Sequence, residues 1–386
     1  MKLVYADNNA TTAVAPEVIQ AMQPFLAEQY GNPSSMHTFG GKVRYHIERA
    51  REQVADLLGA NDPTEIIFTS CGTESDNTAI ASTLRAYAGK KHIITSKVEH
   101  PAVLNFCNYS ETVGYRVTYL GVDNEGVLDL NELKSAIEPD TAIISVMYAN
   151  NETGVVFPME EIAEIARVRG IALHTDAVQA VSKIHFKLNS LPVDLLSLSG
   201  HKLHAPKGVG ALFVRKGTKF SPFMIGGHQE MGRRGGTENV ASIVGLGAAC
   251  QLARQSMDEE TKKVRLLRDR LEGTLLEKIP HVRINGHKEK RLPNTTNIGF
   301  EFIEGESILL MLDEKGIAAS SGSACTSGSL LPSHVLRTMG VPFTFIQGSI
   351  RLSLSRYNTP QDIDYIIEQL PPIIQRLREI SPYRNT

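Results

Sequence analysis

Three segments decide the fold: Ala142-Ile143-Ile144-Ser145-Val146-Met147, Ile171-Ala172-Leu173, and Val193-Asp194-Leu195-Leu196-Ser197-Leu198. Each is a short apolar run of strand length, and each stops at a polar cluster. The clusters are Asn150-Asn151-Glu152, then His174-Thr175-Asp176 with Gln179, then Ser199-Gly200-His201-Lys202. Buried strands that alternate with helical patterns belong to an α/β protein with a parallel sheet, and such sheets bind ligands just beyond the carboxyl ends of their strands. The three polar tips are therefore expected to converge on one pocket, the alternative being ordinary loop polarity.

Working outward, Glu65-Ile66-Ile67-Phe68-Thr69 reads as a strand and Thr73 to Tyr87 as the following helix. Ser70-Cys71-Gly72-Thr73 is then a tight strand-to-helix turn, where a phosphate could rest on helix N-terminal N–H groups. Pro16 opens a helix expected to end near Gly31, and a second is expected from about Lys42 to Leu58 with Gly59 as its stop. An Ala- and Gly-rich helix from about Asn239 to Ala253 reads as buried on all sides. Val264, Leu267, Leu271 and Leu275 mark one face of a separate amphipathic helix. Pro371-Pro372 is expected to kink or break the closing helical stretch from Asp362 to Ile380.

The chain has 386 residues, with 40 Lys and Arg against 42 Asp and Glu, and no basic stripe interleaved with aromatics. A nucleic-acid footprint is absent, and no partner of one charge sign is implied. Neither a signal segment nor an apolar run of membrane-spanning length is present, so a cytoplasmic protein is expected. Four cysteines at 71, 107, 250 and 325, without a CxxC pair, make neither a disulfide framework nor a zinc knuckle. His201 and His204 lack the third and fourth ligands of a zinc site, and no structural metal is expected.

Cys325 sits in Ser320-Ser321-Gly322-Ser323-Ala324-Cys325-Thr326-Ser327-Gly328-Ser329, ten residues with no bulky side chain and no charge. Free cysteine is usually buried among apolar neighbours. A thiol on such a segment is either a delivered reagent or an incidental member of a Ser-rich surface loop.

A carboxylate and a lysine delivered to one pocket suggest pyridoxal 5'-phosphate (PLP). Lys202 could form a Schiff base with its aldehyde, and Asp176 could pair with the pyridine nitrogen and keep the ring an electron sink. Gly72 and Thr73 would donate to the phosphate from a helix N-terminus, with Ser199 and His201 opposite. Each assignment is weak alone; the ordered set carries the weight.

With these residues in place the chain resembles the NifS/IscS-type cysteine desulfurases, most closely the NifS branch. The likeness spans nearly the whole sequence. It rests on Asp7-Asn8-Asn9-Ala10-Thr11-Thr12, Gly31-Asn32-Pro33-Ser34-Ser35, Thr69 to Asn77, Glu99-His100-Pro101-Ala102-Val103, Asn150-Asn151-Glu152-Thr153-Gly154, Ser199-Gly200-His201-Lys202, Ser320 to Ser329, and Ile350-Arg351-Leu352-Ser353.

The resemblance implies an α/β fold of the PLP-dependent aminotransferase-like type (fold type I), with a mainly parallel sheet in a large domain of residues 16–256. A smaller α+β domain would comprise residues 1–15 and 257–386 and carry the mobile cysteine loop 320–329. It further implies that His100 stacks on the cofactor ring and serves proton transfer. Asn150 and Gln179 would bond cofactor or substrate oxygens, and Arg351 the substrate carboxylate. Thr237 would reach the phosphate of a neighbouring subunit in a homodimer. L-cysteine would be cleaved to alanine with a persulfide on Cys325, passed to an iron–sulfur scaffold of the NifU or IscU kind, with Cys325 a candidate transient iron–sulfur ligand. Other PLP enzymes of this fold, such as an aminotransferase, selenocysteine lyase or desulfinase, remain alternatives, as does a cofactor-free scaffold.

Overall fold

A computed structural model describes residues 2–321 and 332–382. Seven strands form the main sheet in the order β2-β8-β7-β6-β5-β3-β4: β2 Ile66–Thr69, β3 His92–Ser96, β4 Arg116–Leu120, β5 Thr141–Ser145, β6 Ala172–Asp176, β7 Leu195–Ser199 and β8 Gly210–Val214. Only β8 runs against its neighbours; the pairs among β3, β4, β5, β6 and β7 are parallel. Since β2 and β7 both oppose β8, their carboxyl ends point the same way. Central strands β5, β6 and β7 are buried throughout, as expected when helices cover both faces.

Those helices are α1 Pro16–Met22, α2 Pro24–Ala27, α3 Thr38–Leu58, α4 Gly72–Ala86, α5 Pro101–Thr112, α6 Leu130–Ala136 and α7 Met159–Arg169. Then follows α8, Val240–Lys278. The remainder builds a second core around β9 Val282–Ile284, β10 Thr295–Phe300 and β12 Ser349–Ser353. A two-strand pair joins it, made by β1 Val4–Tyr5 and β11 Ile317–Ala318. Helices α9 Gly305–Glu314 and α12 Pro360–Ile380 complete it, whereas α10 His334–Thr338 and α11 Phe343–Gln347 bury Val335, Leu336 and Ile346 in the larger core. The second core gathers Ile298, Ile350, Ile366, Leu370 and Leu271.

Several elements differ from the sequence expectation. The helix opened by Pro16 is divided at Gln23-Pro24, because Pro24 cannot donate to the preceding turn. The two helices expected either side of residue 256 are one helix of 39 residues. The intervening Arg254 to Lys263 are polar but good helix formers, so the helix continues while its buried face passes from one core to the other. Its small residues serve close approach to α3: a Cβ on Gly247 would lie 2.7 Å from the Ala50 Cα. Helix α12 contains Pro371 and Pro372 without ending there. Its apolar stripe, with Ile363, Ile367, Leu370 and Ile374 buried, outweighs the missing N–H donors. His174-Thr175-Asp176 is no loop but the end of β6. His174 is fully buried, its ring bridging Ser145 Oγ at 2.8 Å and Ser197 Oγ at 2.9 Å on the flanking strands.

The segment before α8 is fixed by a buried ion pair. Arg51 of α3 meets Glu230 through two contacts, of 2.6 and 3.0 Å, and donates to the Ile66 carbonyl at 2.8 Å. Glu230 also accepts the Phe68 N–H at 2.9 Å, so β2, α3 and the 229–239 segment are held together. Removing one member leaves the other charge buried and unpaired. Glu230→Ala is expected to lower stability by about 3–5 kcal/mol in urea denaturation; a loss inside the scatter of surface substitutions would show the pair is dispensable.

Candidate active site

The carboxyl ends of β2, β3, β5, β6 and β7 open on one cavity of about 180 Å³. Of the residues predicted from sequence, Gly72, Thr73, His100, Asp176, Gln179, Ser199, His201, Lys202 and Arg351 all line it. The convergence expected from the polar strand tips is therefore real. Cys325 lies outside the described residues.

Two predicted residues stand apart. Asn150 is buried but spends its amide on its own turn. Its oxygen accepts the Glu152 and Thr153 N–H groups, both at 2.9 Å, and its nitrogen donates to the Val98 carbonyl at 3.0 Å. Asn151, not Asn150, lines the cavity. The tight turn after β5 demands an Asx acceptor at its first position, which sequence reading took for a ligand-binding amide. Thr237 is exposed in the segment before α8 and does not line the cavity of its own chain.

At one end Gly72 opens α4, and a Cβ there would sit 2.9 Å from Val178 Cγ2 and 3.4 Å from Ser199 Cβ. Glycine is required so that the helix start can press against the β6 and β7 ends. Glu74, in that first turn, accepts the Ser70 N–H at 2.7 Å and Arg234 at 2.8 and 3.1 Å. The segment carrying Thr237 is thus tied to the same turn.

At the centre, Lys202 Nζ donates to the carbonyls of Asn9 and Ala10 at 2.6 and 2.7 Å. Asp176 is buried and accepts the Val178 N–H at 2.9 Å. Burial raises its carboxyl above the usual range, against the pull of His100 and Lys202. His100 caps α5, its Nδ1 accepting the Ala102 N–H at 3.1 Å, which puts the ring proton on Nε2; burial holds its pKa down. Burial, with Lys202 beside it, also pushes His201 down to about 4. Opposite, Arg351 donates to Asp7 at 2.8 Å and to the Asn151 carbonyl at 2.9 Å, while its Nε has no acceptor among the described residues.

Sequence reading did not single out Asn9, Ala10, Cys71 or Asp76 as cavity residues, and named Asn151 only as part of its polar strand tip; all five line the cavity. Asn9 and Asn151 lay inside quoted motifs, but nothing in their spacing distinguished them from neighbours. Asp76 sits one turn into α4, where the i, i+4 relation to Gly72 was the available signal.

The model of the family described as aminotransferase class-V matches residues 4–366. A protein named cysteine desulfurase from Trichormus azollae is 59% identical over 385 residues, covering 100% of this chain and 96% of the relative. The cysteine desulfurase NifS of Azotobacter vinelandii is 56% identical over 380 residues, covering 98% and 94%. This chain belongs to the class-V aminotransferase family, among its cysteine desulfurases. A solved structure described as a NifS-like protein superposes with a TM-score of 0.92 at 40% identity, covering 97% of this chain and 100% of that one.

Cysteine desulfurases depend on PLP, and the residues present fit it. Ser199 Oγ is buried beside the α4 N-terminus without a partner among the described residues, a donor where a phosphate oxygen would accept. Asp176 has a single backbone N–H for support, which suits it to meet a protonated ring nitrogen.

Glu99 positions the His100 turn: one carboxyl oxygen takes the Ser96 hydroxyl at 2.5 Å and the Met147 N–H at 3.0 Å, and the other has no partner. Burial raises this carboxyl to about 8. The folded chain therefore holds a proton that the unfolded chain releases near pH 4.5, and stability falls as pH rises through that window. Glu99→Gln is expected to remove that slope, about 1.4 kcal/mol per pH unit. Denaturation of both proteins from pH 5 to 8.5 checks it: a constant difference between them would refute the shift.

Proposed function

We propose that this chain removes sulfur from L-cysteine, leaving L-alanine and a persulfide on Cys325, with PLP held on Lys202. The observation that carries the reading is that one cavity brings together Lys202, Asp176, an orphaned Ser199 hydroxyl at a helix start, and a buried arginine with an uncommitted N–H. Full-length likeness to proteins named cysteine desulfurase supports the substrate.

When bound, PLP supplies an electron sink for the pair released from the substrate Cα. The chain's own residues do the rest. Gly72, Thr73, Ser199 and His201 would hold the phosphate, and Asp176 the ring nitrogen. His100, neutral with its proton on Nε2, offers a flat face and a donor. Arg351 Nε would take the substrate carboxylate, with Asp7 and Asn151 keeping the guanidinium in place. Lys202, moved off the Asn9 and Ala10 carbonyls, would carry the Cα proton. The Cys325 thiolate attacks the substrate sulfur: an S–S bond forms, the substrate C–S bond breaks, and its electron pair returns to carbon, which protonates to alanine.

Chain geometry is compatible with this. Ser320 exchanges backbone hydrogen bonds with Arg351, and five residues on to Cys325 span at most about 18 Å. We assign residues 16–256 to a large lobe and residues 1–15 with 257–386 to a small one that bears Cys325. We further propose a homodimer in which Thr237, exposed on its tethered segment, serves the partner's phosphate, and sulfur transfer to an iron–sulfur scaffold of the NifU or IscU kind.

Two variants test the chemistry. Cys325→Ser is expected to keep the visible-spectrum response to L-cysteine while alanine and persulfide formation drop about 100-fold or more. Retained turnover would remove Cys325 from the mechanism. Arg351→Ala is expected to raise KM for L-cysteine about 10- to 100-fold with PLP affinity little changed; an unaltered KM would end its carboxylate role.

A further inference from the structure

Seven residues after Asp176, Lys183 reaches a residue of the cavity wall. Its Nζ donates to Gln179 Oε1 at 2.9 Å. Gln179 Nε2 in turn donates to the Asn9 carbonyl at 3.0 Å, the same oxygen that accepts from Lys202 Nζ at 2.6 Å. Gln179 lines the cavity, and Lys183 and Lys202 both line a second, smaller space together with Glu260 and Arg356.

An amide side chain has two interchangeable ends, and its partners decide which end faces which way. Here both partners give the same answer. A lysine ammonium donates and cannot accept, so it takes the amide oxygen. A backbone carbonyl accepts and cannot donate, so it takes the amide nitrogen. Turning the amide over would set Oε1 against the Asn9 oxygen and the NH2 against the lysine. The nitrogen has two hydrogens, and the Asn9 carbonyl uses one. The second is left for the cavity.

We propose that Lys183 is a positioning residue that fixes the Gln179 amide with its NH2 toward the cavity, so that this side chain presents a donor, never an acceptor, to the ring oxygen of bound PLP. The inference rests on the PLP reading above. Charged groups around Lys183 are Lys202, Arg351, Arg356 and Glu260, with His204 lining the same space. Burial, reinforced by Lys202, brings Lys183 down to about 7; below that the ammonium can only donate, and above it the neutral amine can also accept, which leaves the Asn9 carbonyl to hold the amide nitrogen.

A donor at the ring oxygen stabilises negative charge there and makes the visible chromophore easier to deprotonate. Its loss therefore raises the chromophore's apparent pKa. The test is a pH titration of the visible band of the PLP-loaded protein without substrate, in wild type, Lys183→Met, Lys183→Arg, Gln179→Ala and the Gln179→Ala/Lys183→Met double variant. Lys183→Met is expected to move the midpoint upward by about one pH unit, tenfold in the ionisation constant. Lys183→Arg, which also only donates, should stay near wild type, and Lys183→Met should add nothing in the Gln179→Ala background. Removal of a positive charge alone would also raise the midpoint, but by the same amount in both backgrounds; that result, or no shift in Lys183→Met, overturns the proposal. If Lys183→Met does not fold, Lys183→Gln, which lets the amide turn over, takes its place with the same expectation. A wild-type protein that gains no visible band with PLP would defeat the cofactor reading itself and this inference with it.

Discussion

A guanidinium cannot be buried without acceptors, and the satisfaction of Arg351 ties the chain together. Its side chain is 3% exposed, far from the solvation a free cation needs. Asp7 comes from the first residues, Asn151 from the turn after β5, and Ser320 pairs with the Arg351 backbone in both directions. One residue of β12 therefore fixes three segments far apart in sequence. The interaction is worth more as a constraint than as stabilisation, because the desolvation of a buried ion pair offsets most of its attraction. What it secures is register: together with the Asn8 and Asn9 bonds to Ser353, the hold on Asp7 sets the Asn9 and Ala10 carbonyls against Lys202.

The cavity also controls charge by burial. His201 and His174 are kept neutral, the latter down near 3, by the cost of charging a ring away from water. A neutral His174 can bridge Ser145 and Ser197 as a fixed spacer between β5 and β7. Asp76, buried beside it at 3.6 Å from the ring, has its carboxyl raised by burial first and by Asp176 second. Two carboxyl groups thus share the floor of the site, and their mutual repulsion leaves Asp176 as the one opposed by Lys202 and His100. That asymmetry follows from position alone: Asp176 ends a strand that opens on the cavity, whereas Asp76 lies inside a helix packed on the sheet.

Much of this was legible in the sequence, and the failures share a cause. Strands β5, β6 and β7 were readable because they are buried on both faces and leave continuous apolar runs. Gly72, Lys202 and Asp176 were readable because Gly72 begins a helix, Asp176 ends a strand and Lys202 closes the turn just after one. Asn150 misled because an amide that holds a turn and an amide that holds a ligand look alike in sequence; only the two N–H groups pointing at its oxygen separate them. The unbroken α8 was hidden because a helix that changes the core it packs against loses its single apolar stripe. Lys183 was invisible for a different reason: its partner Gln179 is four residues away, one turn of an ordinary surface pattern, and the constraint arises only through the Asn9 carbonyl from the opposite end of the chain.

The segment bearing Cys325 is anchored on both sides by described residues. Before it, Ser320 is bonded to Arg351; after it, Ser333 donates to Glu152 at 2.5 Å and His334 Nε2 meets the Glu99 carbonyl at 3.0 Å. Each anchor is a residue of the cavity wall or its immediate neighbour: Glu152 follows Asn151, and Glu99 precedes His100. Both ends of the stretch are therefore held by a residue of the cavity wall or its immediate neighbour.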